Sequence, residues 1–447
     1  MRIKVLAAGL ILSWATASFA QTAAAPPVFK FEMHGFVSGS LYLQDANMGP
    51  SEGQMSLFNN VQAPTTKATP VGAQYPQPQT DKLVLGGDVR QSRLNFSVTG
   101  PQVFGGATPK GVVEIDFFGG FGSGGYGDVS ITPRLRLAYS ELNWGAHRIQ
   151  VGQNNDLLVA MIPVSLAHIA YPYSYGSGTL GWRRPAIWGY HTFGDIKSKD
   201  ATKVEVAWEV GRAQFADGGA IGSAGCTAVA PCWGNGIGQH IVGATGDNYG
   251  FNLGEASGLP AVEARVTLLG GQKYMVWLAG HWNRIDKNGA GVASETFANG
   301  VSSDQDVLVG NIGTKIVVGP LTVAGTGYYG KNVGTLIGDF LQFTTGTTGD
   351  VHSYGAWGQA GFNFTKELSV WGFIGVEAPN RQEAIDAKFT KLQQVTSSAL
   401  LQYRDGGYAV GFEWVHMHTT TNAANTPAGY DNVVDGNQYI ISANYFF

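Results

Sequence analysis

Six charged residues in the first third of the chain could act together: Arg93, Glu114, Asp116, Arg134, Arg136 and Arg148. Read with period two, each is opposite in parity to the apolar residues around it, so one face of neighbouring extended segments would carry a basic group with two carboxylates among it. Such a set can orient and dehydrate an anionic or zwitterionic solute, or it can neutralise itself as an ion-pair lattice that stiffens a wall. Both can hold together, because paired residues still project a field. A second candidate is Asp156–Gly181, DLLVAMIPVSLAHIAYPYSYGSGTLG, followed by Trp182, Arg183 and Arg184. It is a link between extended segments, yet it is apolar and aromatic, so it should not float in solvent. His168, the Tyr171, Tyr173 and Tyr175 series and the two arginines predict an arginine-lined passage with aromatic walls. The alternative is a segment that packs between subunits.

Other chemistries find less support. No G-x-S-x-G, no H-E-x-x-H and no glycine-rich phosphate loop between strand and helix occurs. A barrel enzyme of the lipase type would need an outward Ser and His on adjacent strands, and no such pair stands out, so no enzymatic activity is expected. His416 and His418 alternate and would face one side, but two ligands without a third make no metal site, and neither metal nor cofactor is expected. Cys226 and Cys232, spaced by six in CTAVAPC, suit a small disulfide pinning a loop of an exported protein; a metal or redox site is the lesser alternative.

The elements that would position these residues are strands. Arg2 and Lys4, an apolar run from Val5 to Leu12 and Ala-Ser-Phe-Ala ending at Ala20 fit a secretory signal peptide over residues 1–20, leaving 21–447 as the mature chain. Removing the leader takes the formal charge from −4 to −6, which argues against a nucleic-acid partner. Only 13% of the 447 residues are charged and 64 are glycine, a composition unlike that of a soluble protein of this size. From Phe29 to Phe447 the chain repeats segments of alternating apolar residues broken by Gly, Pro, Asn or Asp. Val204, Val206, Trp208 and Val210 alternate with Glu205, Ala207 and Glu209, and Tyr439, Ile441, Ala443, Tyr445 and Phe447 repeat the pattern at the C-terminus.

Sixteen such segments can be counted, the first near Phe29–Tyr42, the third near Gly111–Phe121 and the last near Gln438–Phe447. Tight turns such as Gly270–Gly271, Gly319–Pro320 and Asp405–Gly406 alternate with long polar links such as Gln44–Asp81. An even number of dyad-patterned strands with short turns at one end and long loops at the other predicts an all-β fold, a transmembrane antiparallel β-barrel of the bacterial outer membrane with periplasmic turns and extracellular loops. Aromatics at strand ends, among them Tyr328, Tyr329, Tyr445 and Phe447, suit interfacial girdles. The expected function is passive diffusion of small hydrophilic solutes, with Asp156–Gly181, the third external loop, folded inward as the constriction. The inward set holds seven cations (Arg93, Arg134, Arg136, Arg148, Arg265, Lys315, Arg404) and seven carboxylates (Glu114, Asp116, Glu205, Glu209, Glu263, Glu377, Glu413), so any charge preference must be local. The rival is a plugged barrel whose long loops act in adhesion or structure.

Three stretches carry a specific resemblance: GGDVRQSRLNFSVTGP (Gly86–Pro101), KGVVEIDFFGG (Lys110–Gly120) and RLRLAYSELNWGAHRIQVGQ (Arg134–Gln153). Their S-R-L-x-F, G-x-x-E-x-D-F-F-G and R-L-R-x-A-Y strands, in that order before V-G-Q, resemble the DcaP-like family of outer-membrane porins. The match is dense over about seventy residues and architectural beyond Gly181. The resemblance implies sixteen strands, a homotrimer and passive diffusion of small, mostly anionic organic solutes, with Arg93, Glu114, Asp116, Arg134 and Arg136 lumenal. The chain departs from the family at Asn154, Asn155 and Asp156, where an aromatic usually follows V-G-Q. It also lacks the N-terminal helical segment of some members, since Pro26 and Pro27 lead into the first strand. These departures bear on the preferred solute.

Overall fold

The computed structural model describes residues 28–46, 48–50, 53–59, 83–119, 131–213, 253–286, 304–342, 349–422 and 433–447. The expected signal peptide and the Cys226 and Cys232 pair lie outside the described residues. The strands are β1 (Lys30–Gln44), β2 (Val84–Asp88 and Arg93–Thr99), β3 (Thr108–Asp116), β4 (Arg134–Asn143), β5 (His147–Asn155), β6 (Arg183–Phe193), β7 (Thr202–Gly211) and β8 (Ala261–Gly270). They continue as β9 (Tyr274–Asp286), β10 (Asp304–Val318), β11 (Leu321–Lys331), β12 (His352–Asn363), β13 (Leu368–Pro379), β14 (Lys391–Asp405), β15 (Tyr408–Thr421) and β16 (Val433–Phe446). Each pairs antiparallel with the next, and β1 pairs with β16 from Phe36↔Phe446 to Gln44↔Gln438, closing a sixteen-stranded barrel among the described residues. Closure is what makes the sheet viable in lipid, because no strand is left with an unpaired edge.

Period two separates the two faces. On β16, Tyr439, Ile441 and Tyr445 are 39–64% exposed, whereas Gln438, Ser442 and Asn444 between them are at most 2% exposed. On β7, Val206, Trp208 and Val210 point out while Ala207 and Glu209 are buried. An outward apolar band with polar residues inside is the inverse of a soluble protein and marks a chain of the bacterial outer membrane. Short turns at 144–146, 271–273, 319–320, 364–367 and 406–407 lie at the periplasmic end, opposite the long links.

Several features depart from the sequence expectation. The second strand is one segment broken at 89–92, both halves pairing with β1. The third ends at Asp116, because the Asp116 carboxylate accepts from the backbone of Phe118 two residues on and turns the chain. The long first link folds partly back into the barrel as a ribbon of Met48–Pro50 against Ser56–Asn59. The link after β11 carries Asn332, Ile337, Asp339, Phe340 and Leu341 at positive φ and packs inside as well. After β13 a one-turn helix, Arg381–Asp386, starts where Asn380 caps the amides of Gln382 and Glu383. Tyr328, expected in an interfacial girdle, faces inward at 5% exposure, while its neighbour Tyr329 faces out at 63%. Adjacent residues on a strand cannot share a face.

Candidate functional site: an arginine cluster beneath the inward loop

The link between β5 and β6 lies inside the barrel. Almost every residue from Leu166 to Arg184 is buried; Ala170, Tyr171, Tyr175, Leu180 and Trp182 form one cluster with Leu57 and Phe58 of the ribbon, Leu336 and Phe340 of the β11 link and Trp277 and Val309 of the wall, while Ala167 and Tyr173 pack with Trp357, Phe373 and Met417. Its neck is stapled by Asp156, whose Oδ2 accepts from the Trp182 amide at 2.7 Å and whose own amide donates to the Trp182 carbonyl at 2.9 Å. Gly178 has φ +116 and packs flat on β12; a Cβ there would stand 2.5 Å from the Ala356 carbonyl carbon, so this approach needs glycine. Most remaining anchors are neutral amides. Gln359 exchanges two hydrogen bonds with the Val164 backbone (2.7 and 2.9 Å), and Gln91 bonds Ile169 N and Leu166 O (3.0 and 2.6 Å). Gln394 donates to Leu57 O and Gly176 O, and Glu413 adds one carboxylate, accepting from Ser165 Oγ at 2.8 Å.

Beneath this loop the structure brings together five of the expected residues. Asp116 accepts from Arg134 Nη2 at 2.6 Å and Arg136 Nη1 at 2.8 Å; Glu114 accepts from Arg136 Nε at 2.8 Å and lies 3.5 Å from Arg93 Nε. A register shift between Glu114 and Ile115 in the β3–β4 ladder lets Arg134 and Arg136 both reach this pair of carboxylates. Arg134 also donates to the Tyr171 hydroxyl and packs against the rings of Phe118, Tyr171 and Trp182 at 5.0–5.7 Å. Arg183 joins the group electrostatically, its guanidinium 4.1 Å over the Trp182 ring. Four arginines thus face two carboxylates, and Arg93 Nη2 has no hydrogen-bond partner among the described residues. The ladder is mostly covered: the side chains of Arg93 and Arg134 keep 18% and 19% of their surface, Arg136 only 9%.

The other expected residues lie elsewhere. Arg184 turns away from Arg183 into a closed pocket, with Asp156 and Glu263 at 3.2 and 3.1 Å from Nη2 and Glu209 at 3.3 Å from Nε, all without solvent exposure. It therefore lines no passage; adjacent residues leaving the loop diverge by alternation. His168 is fully buried at the loop tip and also lines no water. Its Nε2 meets Gln438 Oε1 at 3.0 Å, and because the Gln438 amide donates to Gly53 O, that imidazole nitrogen carries the proton. Arg148 stands apart near the periplasmic end, one-third exposed, 3.5 Å from Glu205 and 3.8 Å from Glu141 and stacked on Tyr190 at 4.0 Å. Sequence reading missed Arg90, whose Nη2 pairs with Asp88 at 2.7 Å and whose guanidinium covers Phe118. The break in β2 that places it there has only the Gly-Gly-Asp before it as a signal.

Burial holds the His168 imidazole down at about 4 and pushes the Asp156 carboxyl, repelled also by Glu263, up to about 7. The docked loop thus refuses a proton at His168 between about 4 and 6.5, which weakens docking as pH falls through that window, by about 3 kcal/mol in all. Asp156 acts oppositely, since the docked form holds its proton up to about 7 and docking strengthens on acidification. His168→Gln, which keeps a hydrogen-bonding partner for Gln438, should remove the first effect and expose the second. Amide exchange over 164–170, corrected for intrinsic rate, should become slower from pH 7 to 5 in the variant but not in wild type; identical profiles would refute this account.

The architecture is that of an outer-membrane porin, a single-chain barrel of sixteen strands with the third external loop folded inward. Among solved structures, the outer-membrane channel DcaP of Acinetobacter baumannii superposes with a TM-score of 0.63 at 14% identity, over 96% of this chain and 100% of that one. An anion-selective porin from Comamonas acidovorans superposes with a TM-score of 0.53 at 11% identity, over 94% and 100%. These likenesses agree with the family resemblance in the sequence at the level of fold. No family model and no curated protein matches the chain in sequence.

Proposed function

We propose that this chain is a passive outer-membrane channel for small hydrophilic solutes that prefers anionic or zwitterionic ones, acting as a homotrimer. The observation that carries the preference is the excess of four arginines over two carboxylates at one level of the barrel, with Arg93 donors unfilled and Arg183 stacked on Trp182. Carboxylate or phosphate groups match the fork of a guanidinium, and aromatic faces suit the organic remainder of such a solute. The anion selectivity of the similar Comamonas porin points the same way, and trimerisation rests on the family resemblance. A second reading, the plugged barrel, is favoured by the apolar cluster inside the wall, where Tyr175, Leu180, Leu336 and Phe340 pack at 4% exposure or less.

Reversal potential under a KCl gradient, with the purified protein in a planar bilayer, separates them. A conducting protein whose potential has the anion-selective sign supports the proposal. Absence of conductance would transfer it to the plugged barrel, and a cation-selective sign would reject the role of the arginines.

A further inference from the structure

The link after β11 is held inside the barrel by groups that no solute route uses. Asp339 of the link, Glu377 of β13, Tyr328 of β11 and Ser353 of β12 are each at most 5% exposed. Asp339 Oδ1 accepts from the Ser353 hydroxyl at 2.6 Å, while Asp339 Oδ2, both carboxylate oxygens of Glu377 and the Tyr328 hydroxyl have no hydrogen-bond partner among the described residues. Glu377 faces Asp339 and Tyr328, and the backbone of Gly178, Asp339 and Phe340 turns toward it as well. Two carboxyl groups thus share one sealed site. The cations nearby in the chain and in the wall are engaged elsewhere: Lys331, just before the link, pairs with Asp350 at 2.8 Å, and the Lys391 ammonium of β14 lies over the Phe58 ring at 4.5 Å. We propose that Asp339 and Glu377 form a proton-operated latch, in which the link Asn332–Leu341 stays docked in the barrel while they hold a proton and withdraws when both ionise.

The argument starts from the cost of a buried charge. A carboxylate without partners loses its hydration on burial, and a second one beside it adds repulsion, so the docked state accepts these groups in neutral form. Burial pushes the Asp339 carboxyl up to about 7, whereas in water it would titrate near about 4. A group whose docked form binds its proton more tightly strengthens docking at low pH, and that contribution is lost as pH rises through about 7.

The backbone supplies the opposing force. Asn332, Ile337, Asp339, Phe340 and Leu341 all have φ between +50 and +63, a left-handed geometry that side chains resist. Packing of Val333, Leu336 and Phe340 into the apolar cluster offsets that strain only while the link is docked. Leu336 O also accepts from the Gly181 amide at 2.8 Å, so departure of the link removes one anchor of the inward loop. The plugged barrel and the channel are then two states of one molecule. This consequence for transit rests on the channel reading, and the latch itself does not.

Hydrogen exchange of the purified full-length protein in detergent, corrected for intrinsic rate, reads the link directly. In wild type, protection of amides 333–341 should fall about tenfold or more for each pH unit between 5 and 7. Asp339→Asn, which keeps an acceptor for Ser353, should flatten that slope by about one decade per unit, and the double variant with Glu377→Gln should hold its pH 5 protection throughout. Unheated electrophoretic mobility confirms that each barrel is folded. A flat wild-type profile, or one slope shared by wild type and both variants, would overturn the latch. Bilayer conductance should rise over the same range in wild type and stay low in the double variant, and a conducting wild type with equal conductance at pH 5 and pH 8 would refute withdrawal. A barrel that never conducts, with the exchange profile as expected, supports the latch and counts against the channel reading alone.

Discussion

Arg183→Glu should abolish the anion preference of the conducting protein. The cluster of Arg93, Arg134, Arg136 and Arg183 against Glu114 and Asp116 carries a formal +2, and this single change brings it to zero. Two unit charges removed near a passage, at roughly 1 kcal/mol each for contact distances in water, correspond to about a thirtyfold fall in the chloride-to-potassium permeability ratio at 0.1 M salt. At 1 M the effect should shrink, since the screening length drops from about 10 Å to about 3 Å. The variant should fold, because a carboxylate beside Arg134 and Arg136 replaces repulsion by attraction. The measurement is again reversal potential, at both salt concentrations. An unchanged ratio would remove Arg183 from the selectivity site and direct attention to Arg93 and Arg134, whose side chains are the more exposed.

Arg184→Met should cripple the barrel itself. Arg184 sits in a sealed pocket that holds Asp156, Glu209 and Glu263, and Glu263 also meets His281 at 2.6 Å. Removing one partner of a buried charge network leaves uncompensated charge and costs about 3–5 kcal/mol. The remaining carboxylates can relieve this only by taking up protons, as Asp156 already tends to, being held up at about 7. A group whose folded form binds its proton more tightly loses stability as pH rises, so the variant should recover on acidification. Thermal unfolding in detergent should show a midpoint well below wild type at pH 8 and a smaller gap at pH 5. A variant as stable as wild type at pH 8 would show that the network holds little.

The contrast between neighbours explains how much of the site was legible. Parity along a strand tells in from out: it sets Glu114, Asp116, Arg134 and Arg136 on one face, where their side chains meet, and it yields the sixteen strands of the barrel. It cannot tell an inner residue that meets water from one that meets a loop folded over it. Of the seven inward carboxylates, Glu114, Asp116, Glu209, Glu263, Glu377 and Glu413 are buried at 8% exposure or less, and only Glu205 stays partly open. The tyrosine-rich link betrayed itself by its composition. The ribbon of Met48–Pro50 and Ser56–Asn59 and the left-handed turns at Asn332–Leu341 did not, because their residues are those of ordinary polar or glycine-rich loops and only the barrel interior makes them a core. Arg183 and Arg184 look equivalent in sequence, yet the chain leaves the loop between them and sends one to each side.

The fastening of that interior by glutamine amides has a further bearing on a channel exposed to changing waters. Bonds from Gln91, Gln359 and Gln394 to backbone groups carry no net charge, so dilution or brine leaves them intact, while the arginine field fades with rising salt. If the arginine cluster sets the charge preference proposed above, size and charge are governed by separate parts of the molecule. On the proposed reading of the arginine cluster, dilute surroundings should let the wall sort by size and sign together, and concentrated ones by size alone.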